Sequence, residues 1–474
     1  MVPAAQIVPE PIAADEPTSP AAVEAILDYV AAPLFRSARI EELVIEDNPY
    51  RRPVRPEDLE WLRFDEPIGP DTAAELSALL GHRMLLSIYD SERRLLPAQM
   101  TDEKWRDFDE FYSPATRARG ERIRQLLERH LFHYVWRAAV DGEPDRAIEP
   151  NAVHKILLSV AEQCDRQAQE LHRIESEAEN PARICRMLTI QLVGQRISAP
   201  LRLTASLVAQ CLDNKGQPVT ADAAKDCSAR VDPAVSDLAR QHNLGWQAHR
   251  YFQFYLPTTL SLMNYLSYCG REPADVFRFV GAMAARTLMS ESLIDWRTDV
   301  NPGKSRAATG ARGSAVERTL CWLQDYVIDE IWPRYGARSL REFVTGVLEY
   351  ATLVDAHHKD LTSQLLWLDA GRMYQEKARR LQSAITEHNI PVELDTFVES
   401  WEECSTAHVH DDDRLVVIES GEMEFWNCFG EMHKFGPGDA MYVPMHRLHG
   451  SVVMSGTCVY HQPVITPEIN GQYG

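Results

Sequence analysis

Apolar positions recur at helical spacing through most of the chain, and near the C-terminus that spacing shortens to alternation. In "SPATRARGERIRQLLERHLFHYVW", Ile123, Leu126, Leu127, Leu131 and Tyr134 fall on one face with arginines opposite. Ser113 is placed to cap this helix and Pro114 to open its first turn, which predicts an amphipathic helix of about six turns. "SPAAVEAILDYVAAPLF" repeats the arrangement with Ser19 and Pro20. Between the two, "EDNPYRRPVRPEDLEW" carries three prolines and predicts extended chain.

From about Asn151 to Met373 the pattern stays helical, through "AVHKILLSVAEQCDRQAQELH", "ARICRMLTIQLVGQ", "HRYFQFYLPTTLSLMNYLSY", "ADVFRFVGAMAARTLMSESLIDW", "AVERTLCWLQDYVIDEIW" and "REFVTGVLEYATLVDAHHKDLTSQLLWLDA". These segments are apolar on one side and joined by short polar connections, which predicts a helical bundle. Two stretches rich in small and polar residues, "DNKGQPVTADAAKDCSARVDP" and "DVNPGKSRAATGARG", predict loops. After about Arg380 the runs "RLVVIESGEMEFW", "MHKFGPGDAMYVP" and "GSVVMSGTCVYHQPVI" are short, β-rich and split by Gly, Pro, Asp and Asn. They predict an antiparallel barrel or jelly roll. The expected fold class is multidomain and mostly α, closing in a C-terminal β-barrel.

Composition narrows the partners. Lys+Arg 49 against Asp+Glu 70 gives a net charge of -21, which opposes nucleic acid or an anionic membrane surface and tolerates cationic small molecules. Nine cysteines without a CxxC pair fit a reducing cytoplasm. No apolar run approaches the roughly 18 residues of a membrane span. Residues 1–20 lack the basic start and apolar core of a signal peptide and read as a flexible tail.

The candidate chemistry lies in "HVHDDDRLVVIESG", residues 408 to 421. An H-x-H pair on a strand sends both imidazoles to one face, and a third imidazole from a neighbouring strand would complete a metal-binding triad. "GDAMYVPMHRLHG" supplies His449. The two segments together resemble the two motifs of the cupin family, in which H-x-H and a later histidine converge inside a small β-barrel and bind a first-row metal. Where that family places a glutamate, this chain has Arg414 or Leu415. The expected ligands are therefore His408, His410 and His449, three neutral imidazoles around an open site that suits Fe(II).

The segments "DNPYRR", "FYSPATRARGERIR", "HRYFQFYL", "RFVGA", "RLHG" and "CVY" resemble the family of N-nitrosourea-forming metalloenzymes of streptozotocin biosynthesis. That resemblance implies a helical dimerisation domain over 21–137, a heme-oxygenase-like helical domain over 138–378 and a cupin over 379–474. In the family the middle domain holds two irons that hydroxylate guanidine nitrogens, and the cupin uses one iron to rearrange the product into an N-nitrosourea. Arg447 and Tyr460 match its cupin motifs and are expected to orient substrate or donate a proton. His446, Tyr442, Trp426 and His461 are expected around the substrate or in the wall behind it.

The middle domain departs from this family. None of the 16 histidines begins the H-x3-D-x2-H set of the diiron site. The family's ligand positions fall on Ala199, Ala221, Val231, Thr287, Arg312, Val316 and Thr319, with Glu291 one turn from Thr287. Glu162 with His172, His242 with His249, and Asp355 with His357, His358 and Asp360 read as solvated helix faces. The expectation is one Fe(II) per chain, in the cupin, and no diiron site.

The implied function is oxidative rearrangement with N–N bond formation on an amino-acid-derived small molecule that an upstream N-hydroxylase has already hydroxylated, carried out by a cytoplasmic homodimer. Two alternatives stand beside it. A three-histidine cupin can act as a dioxygenase on another small molecule, such as a thiol or catechol. The chain can also serve as a non-catalytic scaffold for a partner oxygenase.

Overall fold

The computed structural model describes residues 20–32, 35, 48–54, 62–63, 66–93, 95–140, 149–195, 235–245, 247–298, 316, 319–321 and 323–474. The N-terminal tail, both predicted loops, and Ala199, Ala221, Val231 and Arg312 lie outside them. The chain divides into two compact units. One is Met1–Leu131 with Gln247–Leu260 and Ser363–Gly474, and the other is Phe132–Trp246 with Ser261–Thr362. Among the described residues no helix is long and apolar enough to cross a membrane.

The first unit begins with helices α1 (Pro20–Val30), α2 (Leu76–Asp90), α3 (Asp102–Phe111) and the start of α4 (Pro114–Val140). Ser113 caps α4 as its sequence predicts, accepting the Thr116 N–H at 3.1 Å. Residues of the "DNPYRR" segment tie the helices together. Asn48 donates to Asp107 at 2.7 Å and Tyr50 to the Leu95 carbonyl at 2.7 Å. Arg52 pairs with Asp90 at 2.9 Å, both buried, with its guanidinium over the rings of Phe111 and Phe252. A charge so enclosed persists because it is paired and hydrogen-bonded.

The second unit is built from α5 (Pro150–Glu177), α6 (Pro181–Gly194), most of α7 (Pro257–Arg271), α8 (Val276–Thr298) and α9 (Trp332–Asp369) as far as Thr362. The segment predicted as one helix from His249 to Tyr268 is broken. A 3-10 turn covers Ala248–Tyr251 and α7 starts only at Pro257, whose missing N–H suits a first turn and disfavours helix before it. His357 and Asp360, expected on a solvated face, are each only 4% exposed. His357 Nε2 lies 3.0 Å from the Gln195 side-chain nitrogen, and burial, helped by His358, pushes its pKa down to about 3. Thr319 donates to the Glu291 carboxylate at 2.8 Å, and His358 lies 2.9 Å from Glu170.

At the centre of this unit Glu349 is fully buried beside Arg278, at 3.1 Å, and accepts the Tyr265 hydroxyl. Burial outweighs the neighbouring guanidinium and lifts the Glu349 pKa from 4.5 to about 7. The folded state therefore holds a proton that the unfolded chain releases between about pH 4.5 and 7, and stability falls as pH rises through that window. Glu349→Gln is expected to remove this slope, seen as a flatter dependence of unfolding midpoint on pH. A slope equal to that of the wild type would show that Glu349 ionises normally.

Helix α10 (Gly371–His388) carries the helical period beyond Arg380 and ends where Asn389 turns left-handed, φ 48°. The strands that follow are β1 (Thr396–Ser400), β2 (Cys404–His408), β3 (Arg414–Ser420), β4 (Met423–Cys428), β5 (Glu431–Phe435), β6 (Ala440–Val443), β7 (His449–Val453) and β8 (Thr457–His461). They form two antiparallel four-stranded sheets, β1-β8-β3-β6 and β2-β7-β4-β5. Alternate residues of both sheets share one core, among them Val416, Ile418, Phe425, Met441, Val453 and Tyr460. The outer face of the first sheet is covered by α10 and by α11 (Pro467–Tyr473), through Ala378, Leu381, Ile469 and Tyr473 packed on Leu415 and Tyr442.

Candidate metal centre

Strand β2 ends at His408, which pairs in register with His449 at the start of β7. His410 lies just past the strand rather than on it, since β2 ends at His408 after a register shift between Ser405 and His408. The three rings still converge, with centroids 4.8, 4.6 and 5.0 Å apart. Their donor atoms lie within 4.8 Å of one another, and among the described residues this is the group of His, Cys, Asp or Glu side chains that could hold a metal ion.

Backbone carbonyls select the tautomers. His408 Nδ1 donates to the Thr406 carbonyl and His449 Nδ1 to the Arg447 carbonyl, each at 2.8 Å, which leaves Nε2 as the lone-pair donor. The Nε2 atoms of His408 and His410 are 3.3 Å apart. Two nitrogens each about 2.1 Å from one metal, at an angle between right and tetrahedral, are separated by about 3.0–3.4 Å. His449 is 3% exposed and lies flat against Phe425, with centroids 5.4 Å apart and planes 19° apart. Burial and the nearby His408 push its pKa down to about 3, so its imidazole is neutral at physiological pH. The donor type, the tautomers of His408 and His449 and the His408–His410 spacing fit a first-row metal.

The histidines open into a cavity of about 310 Å³. Its apolar side is Val416, Met423 and Phe425, and its polar side carries Asp395, Glu399, Asp411 and Asp412 against Arg63 and Arg414, four acids to two bases. Arg414, standing near where cupins place a glutamate, is tied to Asp412 and to Asp395 at 2.6 Å. It therefore shapes the wall and donates nothing to a metal. Tyr460 also lines the cavity, stacked on Phe397 and donating to Glu399 at 2.8 Å.

The other sequence candidates stand elsewhere. Arg447 is buried, donates to the Met445 carbonyl at 3.3 Å, and its own carbonyl accepts from His449 Nδ1. His446 adopts φ 62° and its N–H donates to the His410 carbonyl at 2.8 Å. Tyr442 faces α10, donates to Asp413 at 2.5 Å and stacks on Tyr374. Trp426 fills the space beneath Gly450, where a Cβ would lie 2.4 Å from its ring. His461 bridges Glu419 and Thr396 at 2.9 and 3.0 Å. None of these five lines the cavity. Glu399 and Asp395 do, and sequence reasoning missed them because β1 carries no motif, only an alternation that puts residues 395, 397 and 399 on the cavity side.

Fold and site together define a helical protein closed by a two-sheet, cupin-type β domain with three histidines that could hold a metal ion. No family model matches the chain. Along nearly its whole length it is similar to the nitrosourea synthase of Streptomyces achromogenes subsp. streptozoticus, 26% identical over 475 residues that cover 92% of this chain and 94% of that protein.

Proposed function

We propose that the chain is a mononuclear non-heme iron enzyme that forms an N–N bond by rearranging an N-hydroxylated guanidine or a related amino-acid-derived substrate. The observation that carries this reading is the three imidazoles converging on an acid-rich cavity in a chain similar throughout to a nitrosourea synthase. Iron(II) held by His408, His410 and His449 would supply a Lewis acid and one-electron redox chemistry.

The protein's own groups do the rest. The excess of carboxylates favours a guanidine-type cation, and Arg63 can meet the carboxylate of an amino acid. The Tyr460 hydroxyl, polarised by Glu399, stands where it can hold or return the proton of an N–OH group. Val416, Met423 and Phe425 exclude water from the inner end. Such a substrate has to come from an N-hydroxylase, and the enzyme works as a homodimer.

The test is incubation of the iron(II)-loaded chain with nitrogen-labelled N-hydroxyguanidino amino acids and mass detection of an N-nitroso product. We expect product from the wild type and none from a His408→Ala, His410→Ala double variant. Oxidation of a simple thiol or catechol with no hydroxyguanidine turnover would replace this reading with a three-histidine dioxygenase. Product formation unchanged in the double variant would place the catalysis elsewhere in the chain, and no turnover of any of these substrates by the wild type would leave only a scaffold role.

A further inference from the structure

Two buried side chains on helices outside the β domain close on the backbone immediately before the metal ligands. Arg83 of α2, 3% exposed, donates to the carbonyls of Pro53 at 2.9 Å, Gln253 at 3.1 Å and Ala407 at 2.7 Å. Ala407 directly precedes His408. Gln364, fully buried near the end of α9, donates to the Leu448 carbonyl at 3.1 Å and accepts the Leu448 N–H at 2.9 Å. Leu448 directly precedes His449.

Both contacts fall where strand pairing is missing. The β2–β7 ladder pairs Ser405 and then His408, skipping Thr406 and Ala407, and Leu448 lies one residue before β7 begins. A buried backbone group that has left its ladder needs another partner. Arg83 provides one at Ala407, and Gln364 provides both at Leu448. At the far end of the first ligand pair, the N–H of Leu76 at the start of α2 donates to Asp411, the residue after His410, at 2.8 Å.

We propose that Arg83 and Gln364 are positioning residues of the metal centre, setting from outside the β domain the separation and tilt at which the imidazoles of His408 and His449 meet. The assignment rests on the metal-binding reading above. Its physical basis is that a bulged strand end and a residue just ahead of a strand have no ladder of their own to fix them, while two rigid helical side chains do. Neither residue lines the cavity, so neither touches substrate.

The experiment uses the full chain and cobalt(II), whose visible absorption reports ligand geometry. Arg83→Met and Gln364→Leu are expected to weaken cobalt affinity about 10–100-fold, the usual effect of losing a group that orients a ligand, and to change the absorption band. Arg83→Lys and Gln364→Glu, which keep a donor or an acceptor, should fall between these variants and the wild type. Leu126→Ala, a core truncation in α4, should lower the melting temperature and leave affinity and band unchanged.

Wild-type affinity and band in Arg83→Met and Gln364→Leu would overturn the assignment. So would an equal loss in Leu126→Ala, which would trace the effect to stability alone. If the two drastic variants fail to fold, the decision passes to Arg83→Lys and Gln364→Glu, and wild-type behaviour in both overturns it. Cobalt binding absent from the wild type, or unchanged by His449→Ala, refutes the metal centre itself.

Discussion

With His449 replaced by alanine, the chain is expected to lose its bound metal, from about one iron per chain to almost none. Removing a group that merely orients a ligand costs about 10–100-fold in affinity, so removing one of three ligands should exceed the upper end of that range. His449 is the ligand whose loss should matter most. It is buried, held by the Arg447 carbonyl, and pressed flat on Phe425. Its ring therefore has little freedom to lose on binding, and among the described residues no fourth imidazole lies within the donor cluster to replace it. Metal analysis after anaerobic iron(II) loading decides the point. Iron retained at the wild-type level would mean that the metal is held elsewhere in the chain.

The second large effect is on folding and has nothing to do with metal. Helices α8 and α9 cross through reciprocal glycines. A Cβ at Gly281 would lie 1.9 Å from the Phe343 carbonyl oxygen, and one at Gly346 would lie 2.0 Å from that of Arg278. Backbone cannot swing aside as a side chain can, so Gly281→Ala and Gly346→Ala must each push the helices apart. Overpacking typically costs about 1–3 kcal/mol, and a clash with main chain belongs at the top of that range. The better helix propensity of alanine offsets only about 1 kcal/mol. Each variant should lower the melting temperature by several degrees. The double variant should lower it by less than the sum, since the first separation makes room for the second methyl. An unchanged melting temperature in both single variants would show that the crossing is looser than its geometry indicates.

Much of this molecule is legible in its sequence where a signal is local. Ser113 and Pro114 start a helix that the structure contains, the shift to alternation marks the two-sheet domain, and the H-x-H pair with its later histidine finds the metal cluster. Several residues of the segments that carried the resemblance have structural places: Arg52 in its buried pair, Tyr251 and Phe254 edge-on to Phe429, Gly281 at the helix crossing, Gly450 over Trp426, while His449 and Tyr460 of the same segments line the cavity. What stayed hidden depends on distance along the chain. Arg83 meets a carbonyl 324 residues away and Gln364 one 84 residues away, and no local pattern announces either. Glu399 was invisible for the opposite reason, since an acid on an edge strand looks like any solvated residue. Burial of His357 and Asp360 was missed because a helix face that meets another helix reads like one that meets water.

The first compact unit is discontinuous: its three pieces, Met1–Leu131, Gln247–Leu260 and Ser363–Gly474, are separated in sequence by the segments of the second. On the ribosome, α2 is therefore complete long before the strands that need it are made, and Arg83 must wait for Ala407 to be synthesised. Closing so long a loop adds little to the equilibrium cost, since each doubling of length adds only about 0.6 kcal/mol. It delays the search, because contacts remote in sequence form slowly. The ligand site thus belongs to the last stage of folding, and metal uptake should lag behind helix formation when the unfolded chain is returned to native conditions.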